Sequence, residues 1–333
     1  MAFDPDAPAA TGALFGLPFT PETARIVAQA VPWQATTSFR RGTRDGPAAL
    51  VEASLQVDLY DLEYGDFWRA GLALLPEDPR FRAWDAEAEP YALAVIDSLG
   101  HDPEAAARVN VLSEAVNEAV YEAAKRVLAT GRIPALIGGD HSTPFGAIRA
   151  VAEHFPGVGV LHFDAHADLR VAYEGFTWSH ASILYNVLRA IPEVATVTQV
   201  GIRDVGSAEV ALIRAEPRLR TFFDPDIARR LAEGEPWARV VEDIVESLPP
   251  LVYVTFDVDG LEPTLCPNTG TPVPGGLDWR QVQGLLSTLS ARRQIVGFDV
   301  NEIGNDPWDG NVAARLFYKL CGATLRSQPA DQK

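Results

Sequence analysis

Lysine is almost missing from this 333-residue chain. Lys125, Lys319 and Lys333 are the only three among 28 basic residues, set against 45 acidic ones. The resulting formal charge of −17 argues against a broad electrostatic footprint for nucleic acid or anionic lipid. Cysteine is scarce too. Cys266 and Cys321 lie far apart and in no CxxC arrangement, which excludes a disulfide framework and a thiolate metal cluster. No stretch approaches the roughly 18 uninterrupted apolar residues of a membrane span. The acidic start MAFDPDAPAATG, with no basic residue before Arg25, has the character of neither a secretory signal nor a transit peptide. A cytoplasmic protein with no membrane and no nucleic-acid partner is the expectation.

What is present is an ordinary globular composition, 47% hydrophobic and 22% charged, enough to build a sizeable core and to exclude overall disorder. Residues 103–129 carry apolar side chains at helical spacing, with Leu112, Ala115, Val116, Ala119, Val120 and Ala123 on one face. Further helices are expected at 145–154, 180–190, 241–248, 279–290 and 311–322. Short continuous apolar runs at 133–137, 158–164, 196–202, 251–257 and 294–300 read as buried strands. Strands alternating with helices predict an α/β fold, a mainly parallel sheet covered on both faces. Residues 20–48 and the acidic aromatic stretch 58–92 fit no element and are expected to serve as rim, lid, subunit contact or surface loop.

The polar residues at the strand ends form a pattern. Gly-Gly-Asp140-His141-Ser142 follows the 133–137 run, and Asp164-Ala-His166-Ala-Asp168 follows the next. Asp257-Val-Asp259 and Asn301-Glu302 end the last two. Ligands of open parallel sheets bind beyond the carboxyl ends of the strands, so these groups are expected to share one crevice. Four carboxylates and two imidazoles carry more negative charge than one divalent cation needs, and without cations some of the acids would have to take up protons. Two divalent metals relieve that repulsion. Mixed nitrogen and oxygen ligation suits Mn²⁺, Fe²⁺, Co²⁺, Ni²⁺ or Zn²⁺, and a pair of such ions generates a hydroxide nucleophile near neutral pH.

GGDHS, FDAHAD, FDVDGLEP with NTGTPVPGG, and FDVNE, in this order, resemble the ureohydrolase superfamily of arginases, agmatinases, guanidino-acid ureohydrolases and formimidoylglutamases. SFRRGTRDGPAAL at 38–50 is similar to that family's N-terminal element, and the resemblance runs from about residue 14 to 323. It implies one three-layer α/β/α domain over residues 1–333 with about eight strands, 1–13 and 324–333 being loose tails, and assembly as a homo-trimer or homo-hexamer. By position, it implies that His141, Asp164, Asp168 and Asp257 hold one metal, and Asp164, His166, Asp257 and Asp259 the other. Manganese is the usual ion and nickel the alternative. Glu302 would pair with the guanidinium of the substrate, Thr271 would line the pocket, Asp168 would carry a proton to the departing amine, and His180 of WSHAS would shuttle protons. The products would be urea and an amine, or ammonia from guanidine itself; a formimidoylglutamase would release formamide instead.

The chain departs from the family at two places. His180 is followed by Ala181, where several members have glycine. Where arginase has an asparagine-containing run that reads the amino-acid end of arginine, this chain has Leu169-Arg170 and then Tyr173, Phe176 and Trp178, which disfavours strict arginase activity. Arg170 either grips a substrate carboxylate or pairs with a nearby acid. Trp178, with Trp33, Phe176 and Trp308, either walls a cationic substrate or belongs to the core. His162 is expected to be packed inside its strand, and Cys266 to be a small buried residue.

Overall fold

The 251–257 run, LVYVTFD, is buried at every position after Leu251, which is what a strand covered on both faces demands. Val252, Val254 and Phe256 face one apolar cluster and Tyr253 the other. The same alternation recurs through the sheet of this computed structural model, which describes residues 3–9 and 12–329. Its strands are β1 (Ile26–Val31), β2 (Leu72–Leu74), β3 (Ile133–Gly138), β4 (Gly159–Phe163), β5 (Thr196–Ile202), β6 (Leu219–Phe223), β7 (Leu251–Asp257) and β8 (Gln294–Asn301). Together they form one eight-stranded sheet in the order β2-β1-β3-β8-β7-β4-β5-β6, parallel at every pairing.

The helices are α1 (Gly46–Ser54), α2 (Pro79–Asp97), α3 (Pro103–Ala129), α4 (Phe145–His154), α5 (Ile183–Ala190), α6 (Ser207–Ala215), α7 (Asp224–Ala232), α8 (Trp237–Glu246), α9 (Trp279–Arg292) and α10 (Pro307–Arg326). Helices α1 and α7–α10 cover one face and α2–α6 the other, giving the expected three layers in a single α/β domain. Phe163 and Phe256, register partners on β4 and β7, stack at 4.5 Å, and Phe298 of β8 meets Phe317 of α10 at 5.1 Å. Full burial of each such ring is worth about 1.5–3 kcal/mol. Among the described residues no helix is long and apolar enough to cross a membrane.

Two expectations are corrected here. Residues 26–31 and 72–74, inside the segments expected to be rim or loop, are strands of the sheet, and 79–97 is a helix. A strand of six residues with Gln29 in its middle, another of three, and a helix containing Pro90 each carry too little pattern to stand out. The C-terminal tail does not begin at 324. Helix α10 continues to Arg326, with Thr324, Leu325 and Gln328 buried. Toward the N-terminus, Phe3 contacts the ring of Trp68 at 5.4 Å. The remainder of the expected tails, residues 1–2, 10–11 and 330–333, lies outside the described residues.

The segment 34–45 is pinned over the sheet by α2. The buried Asp85 carboxylate accepts from the Gln34 backbone N–H at 2.8 Å and pairs with Arg44 at 2.8 Å, while Glu89 meets Arg41 and Arg44 at 3.2 Å. Among these charged side chains only Asp85 is buried, so it is the carboxylate that most needs its partners. This clamp holds Thr36 and Ser38 above the strand ends.

Candidate metal centre and active site

The four polar strand ends belong to β3, β8, β7 and β4, which are consecutive neighbours in the sheet. Their carboxyl ends therefore open onto one place, as expected. At the end of β3, Gly139 lies so close to the backbone of Trp33 that a Cβ there would sit 1.7 Å from its carbonyl oxygen. Only glycine fits, and the contact sets the turn that presents Asp140 and His141.

His141 Nδ1 lies 3.1 Å from Asp164 Oδ2, 3.3 Å from Asp168 Oδ2 and 3.4 Å from Asp257 Oδ2. Its other nitrogen, Nε2, is 2.9 Å from the Thr255 hydroxyl, which donates to Asp299 Oδ1 at 2.8 Å. The Thr255 oxygen is thus free to accept, Nε2–H donates to it, and Nδ1 is the nitrogen that faces the three carboxylates and would offer its lone pair to a cation. On the other side of Asp164, His166 Nδ1 is 3.4 Å from Asp164 Oδ1 and 3.0 Å from Asp259 Oδ2. Thr271 donates to that same Asp259 oxygen at 3.3 Å. Donors bound side by side at about 2.1–2.2 Å from one ion stand roughly 3 Å apart, so the spacing fits cations. His141, His162, Asp164 and Asp168 form one group that could hold a metal, and Asp164, His166 and Asp259 a second, with Asp164 common to both.

His162 was expected only to pack. It is fully buried, but its Nε2 lies 2.8 Å from Asp164 Oδ2. Gln199 decides its role. The amide nitrogen of Gln199 donates to the Ala167 carbonyl at 2.7 Å and its oxygen accepts from Thr221, so that nitrogen must donate to His162 Nδ1 at 3.1 Å. His162 Nε2 then carries the proton and donates to Asp164. In that state it orients the carboxylate and offers no lone pair to an ion.

The electrostatics are those of a cation site. Burial and neighbouring negative charges push Asp257 and Glu302 well above the carboxylate range, raise Asp259, and bring Asp168 up to about 7. Burial also opposes charge on His141 and His166, yet the surrounding carboxylates hold His141 well above the usual range and push His166 up to about 12. Protons and cations are alternatives here: a divalent ion removes the repulsion that the protons otherwise relieve.

Glu302 lies beside this cluster. Its Oε1 accepts from the His141 backbone N–H at 3.0 Å, and Oε2 is buried without a hydrogen-bond partner among the described residues. A Cβ on Gly270 would come within 3.2 Å of that oxygen, so the glycine keeps a space in front of it. Glu302 and Asp168 hold left-handed backbones, with φ of 59° and 54°. Strain of this kind, of order 1–3 kcal/mol, persists where the surroundings over-determine it.

A cavity of about 190 Å³ opens from the cluster, lined in part by His166, Asp168, His180, Thr271, Tyr173 and Asp204. Arg170 also reaches it, but its Nε lies 3.8 Å from Glu209 Oε2 and its guanidinium stacks on Tyr173 at 5.0 Å. Trp178 does not line the cavity. Its ring packs edge-on against Phe145 at 4.8 Å, because the 173–180 loop turns it toward the α4 side of the core. Trp33 and Phe176 are buried, and Trp308, at the surface, donates to the Thr264 carbonyl. Cys266 is buried as expected, and burial pushes its thiol well up.

Fold and cluster together define an α/β protein with a candidate metal centre at its strand ends. The arginase family model matches residues 24–324, and the chain belongs to the arginase family. It is 33% identical to the N(1)-aminopropylagmatine ureohydrolase of Thermus thermophilus over 312 residues, covering 93% of this chain and 94% of that one. It is 29% identical to the agmatinase of Pyrococcus horikoshii, covering 89% and 90%. Proclavaminate amidino hydrolase from Streptomyces clavuligerus shares the fold, with a TM-score of 0.73 at 23% identity and coverage of 96% and 99%.

Proposed function

We propose that the protein hydrolyses a carbon–nitrogen bond of a guanidino compound, releasing urea and an amine, and that its substrate is of the agmatine type, with a cationic tail. The observation that carries the reading is the pair of donor groups sharing Asp164 beside the unpaired, buried Oε2 of Glu302. His141, Asp164, Asp168 and Asp257 would hold one divalent cation, and Asp164, His166, Asp257 and Asp259 the other. Manganese is the expected ion and nickel the alternative. When bound, the cations supply a nucleophile drawn from water near neutral pH and positive charge beside the reacting carbon.

The chain's own residues do the rest. Glu302 receives the guanidinium, whose positive charge offsets the burial that otherwise disfavours its carboxylate. Thr271, bonded to Asp259, lines the cavity. Asp168, at the junction of the cluster and the cavity, hands a proton to the departing amine. His180, at the cavity wall, exchanges protons with solvent. Arg170 lies 3.8 Å from Glu209 and stacks on Tyr173, which favours the pairing role over a grip on a substrate carboxylate. Asp204, at the cavity rim, has no ion-pair partner among the described residues and suits the ammonium of an agmatine-type tail.

The test is to load the protein with Mn²⁺ or Ni²⁺ and assay agmatine, N(1)-aminopropylagmatine, guanidinobutyrate, arginine, guanidine and formiminoglutamate. Urea is expected, fastest from the two amine-tailed compounds. Urea from none of them, with formamide from formiminoglutamate, would overturn the proposal. A cytoplasmic homo-trimer or homo-hexamer is part of the same proposal, and sedimentation velocity reports the assembly.

A further inference from the structure

Asp140 sits in the GGDHS turn and yet belongs to neither donor group. It is fully buried, as is Thr36 of the clamped 34–45 segment. Asp140 Oδ2 accepts from the Thr36 backbone N–H at 3.1 Å and from the Thr36 hydroxyl at 2.8 Å. Its Oδ1 accepts from the Ser142 backbone N–H at 3.1 Å and from the Ser142 hydroxyl at 2.5 Å. Four donors on one carboxylate use its acceptor capacity and fix its place.

The Thr36 hydroxyl has one proton, and Asp140 receives it. The same oxygen is 3.1 Å from the backbone nitrogen of His180, which donates to it, and 3.3 Å from His180 Nδ1. With its proton committed, Thr36 Oγ1 can act only as an acceptor toward the ring, which favours a hydrogen on Nδ1. Ser179 Oγ accepts from the Ala181 backbone N–H and keeps its own hydroxyl proton, but at 3.4 Å it stands farther from Nδ1 than Thr36 Oγ1 does. Nε2 has no hydrogen-bond partner among the described residues, and the ring lines the cavity.

We infer that Asp140 and Thr36 form a relay that holds His180 in the Nδ1–H tautomer and leaves Nε2 as the atom that takes and gives protons at the cavity. This rests on His180 as the proton-exchanging residue proposed above. It makes Asp140 and Thr36 positioning residues, acting through His180 and touching no substrate themselves. It also gives the clamped 34–45 segment a purpose in the site. That segment brings the Thr36 hydroxyl onto the imidazole, across 144 positions of sequence.

Two measurements test the relay. The first is kinetic, on the metal-loaded enzyme. Thr36→Val, similar in size but without the hydroxyl, is expected to lower kcat roughly 10–100-fold, with KM and metal content unchanged. Thr36→Ser restores most of the rate. In a His180→Ala background, itself slower by roughly 10²–10⁴-fold, Thr36→Val should add no further loss. Losses that multiply, or a silent Thr36→Val beside a slow His180→Ala, would overturn the relay while leaving the shuttle in place. A silent His180→Ala would instead remove the shuttle itself.

The second measurement needs no variant. Nitrogen-15 NMR of the histidines in Zn²⁺-loaded protein, a diamagnetic form, should show His180 with Nδ1 protonated and Nε2 bare. The opposite tautomer contradicts the relay whatever the rates.

Discussion

The two donor groups that share Asp164 differ in their surroundings. On the His141 side every candidate ligand is buried, with side-chain exposures of 1–6%, and the imidazole is held from behind by Thr255 and Asp299. On the other side His166 is 27% exposed and lines the cavity. The inner group is built as part of the core, so its charges must be balanced for the core to be stable. The outer group is built for access. Asp164 lies between the two, its Oδ2 toward His141 and His162 and its Oδ1 toward His166.

The largest effect is expected at that carboxylate. Asp164→Asn should lose both cations and at least about a thousandfold in activity, the scale of several kcal/mol of electrostatic stabilisation. Metal analysis of the purified variant checks it. Glu302→Gln removes no candidate ligand, since Glu302 meets His141 only at its backbone N–H. It should keep its metal and lose roughly a hundredfold in kcat/KM, the few kcal/mol lost when one partner of a buried charge pair is removed.

The difference in burial also predicts a pH dependence. With no cation bound, the folded inner and outer groups hold protons that the unfolded chain gives up. Asp168 is raised from 3.8 to about 7, and Asp257, Asp259, Glu302, His141 and His166 are raised as well. Raised groups stabilise the fold at low pH and lose that contribution as pH climbs through their folded values. His162 and His180 are lowered by burial and oppose this trend only below 6.5. The chelated protein should therefore melt at lower temperature as pH rises from about 6.5 to 9, and Mn²⁺ should restore the loss. A melting temperature that stays level over that range would show that the cluster's charges do not govern stability.

The smallest effect belongs to the rim. Arg170→Ala should change kcat/KM for agmatine by less than about tenfold, since Arg170 is already paired with Glu209 and stacked on Tyr173. A large loss for a carboxylate-bearing substrate alone would give Arg170 the gripping role instead.

What was legible in the sequence follows the strength of each local signal. Runs such as LVYVTFD and the 27-residue helix from Pro103 announce themselves through burial on both faces and through helical spacing. The acids and histidines at the strand ends were legible because packing does not explain charged residues directly after a buried strand. Strands β1 and β2, helix α2 and the stretch from α6 to α7 were not, since short elements draw their stability from neighbours distant in sequence. The supports of the site were hidden for a related reason. Thr36, Thr255 and Asp299 are single polar residues whose meaning lies in a partner on another element. His162 could be read as packed from its place in a strand, but its bond to Asp164 depends on Gln199 of the neighbouring strand. Only the fold brings those groups together.

The central claim is that an inner and an outer cation site stand side by side, joined by Asp164 and, as proposed, Asp257. Its most direct test is the metal content of the reconstituted protein during graded chelation. The account predicts two Mn²⁺ per chain, the second lost before the first, and one per chain in His166→Ala. A single equivalent in the unaltered protein, with every ligand intact, would contradict it.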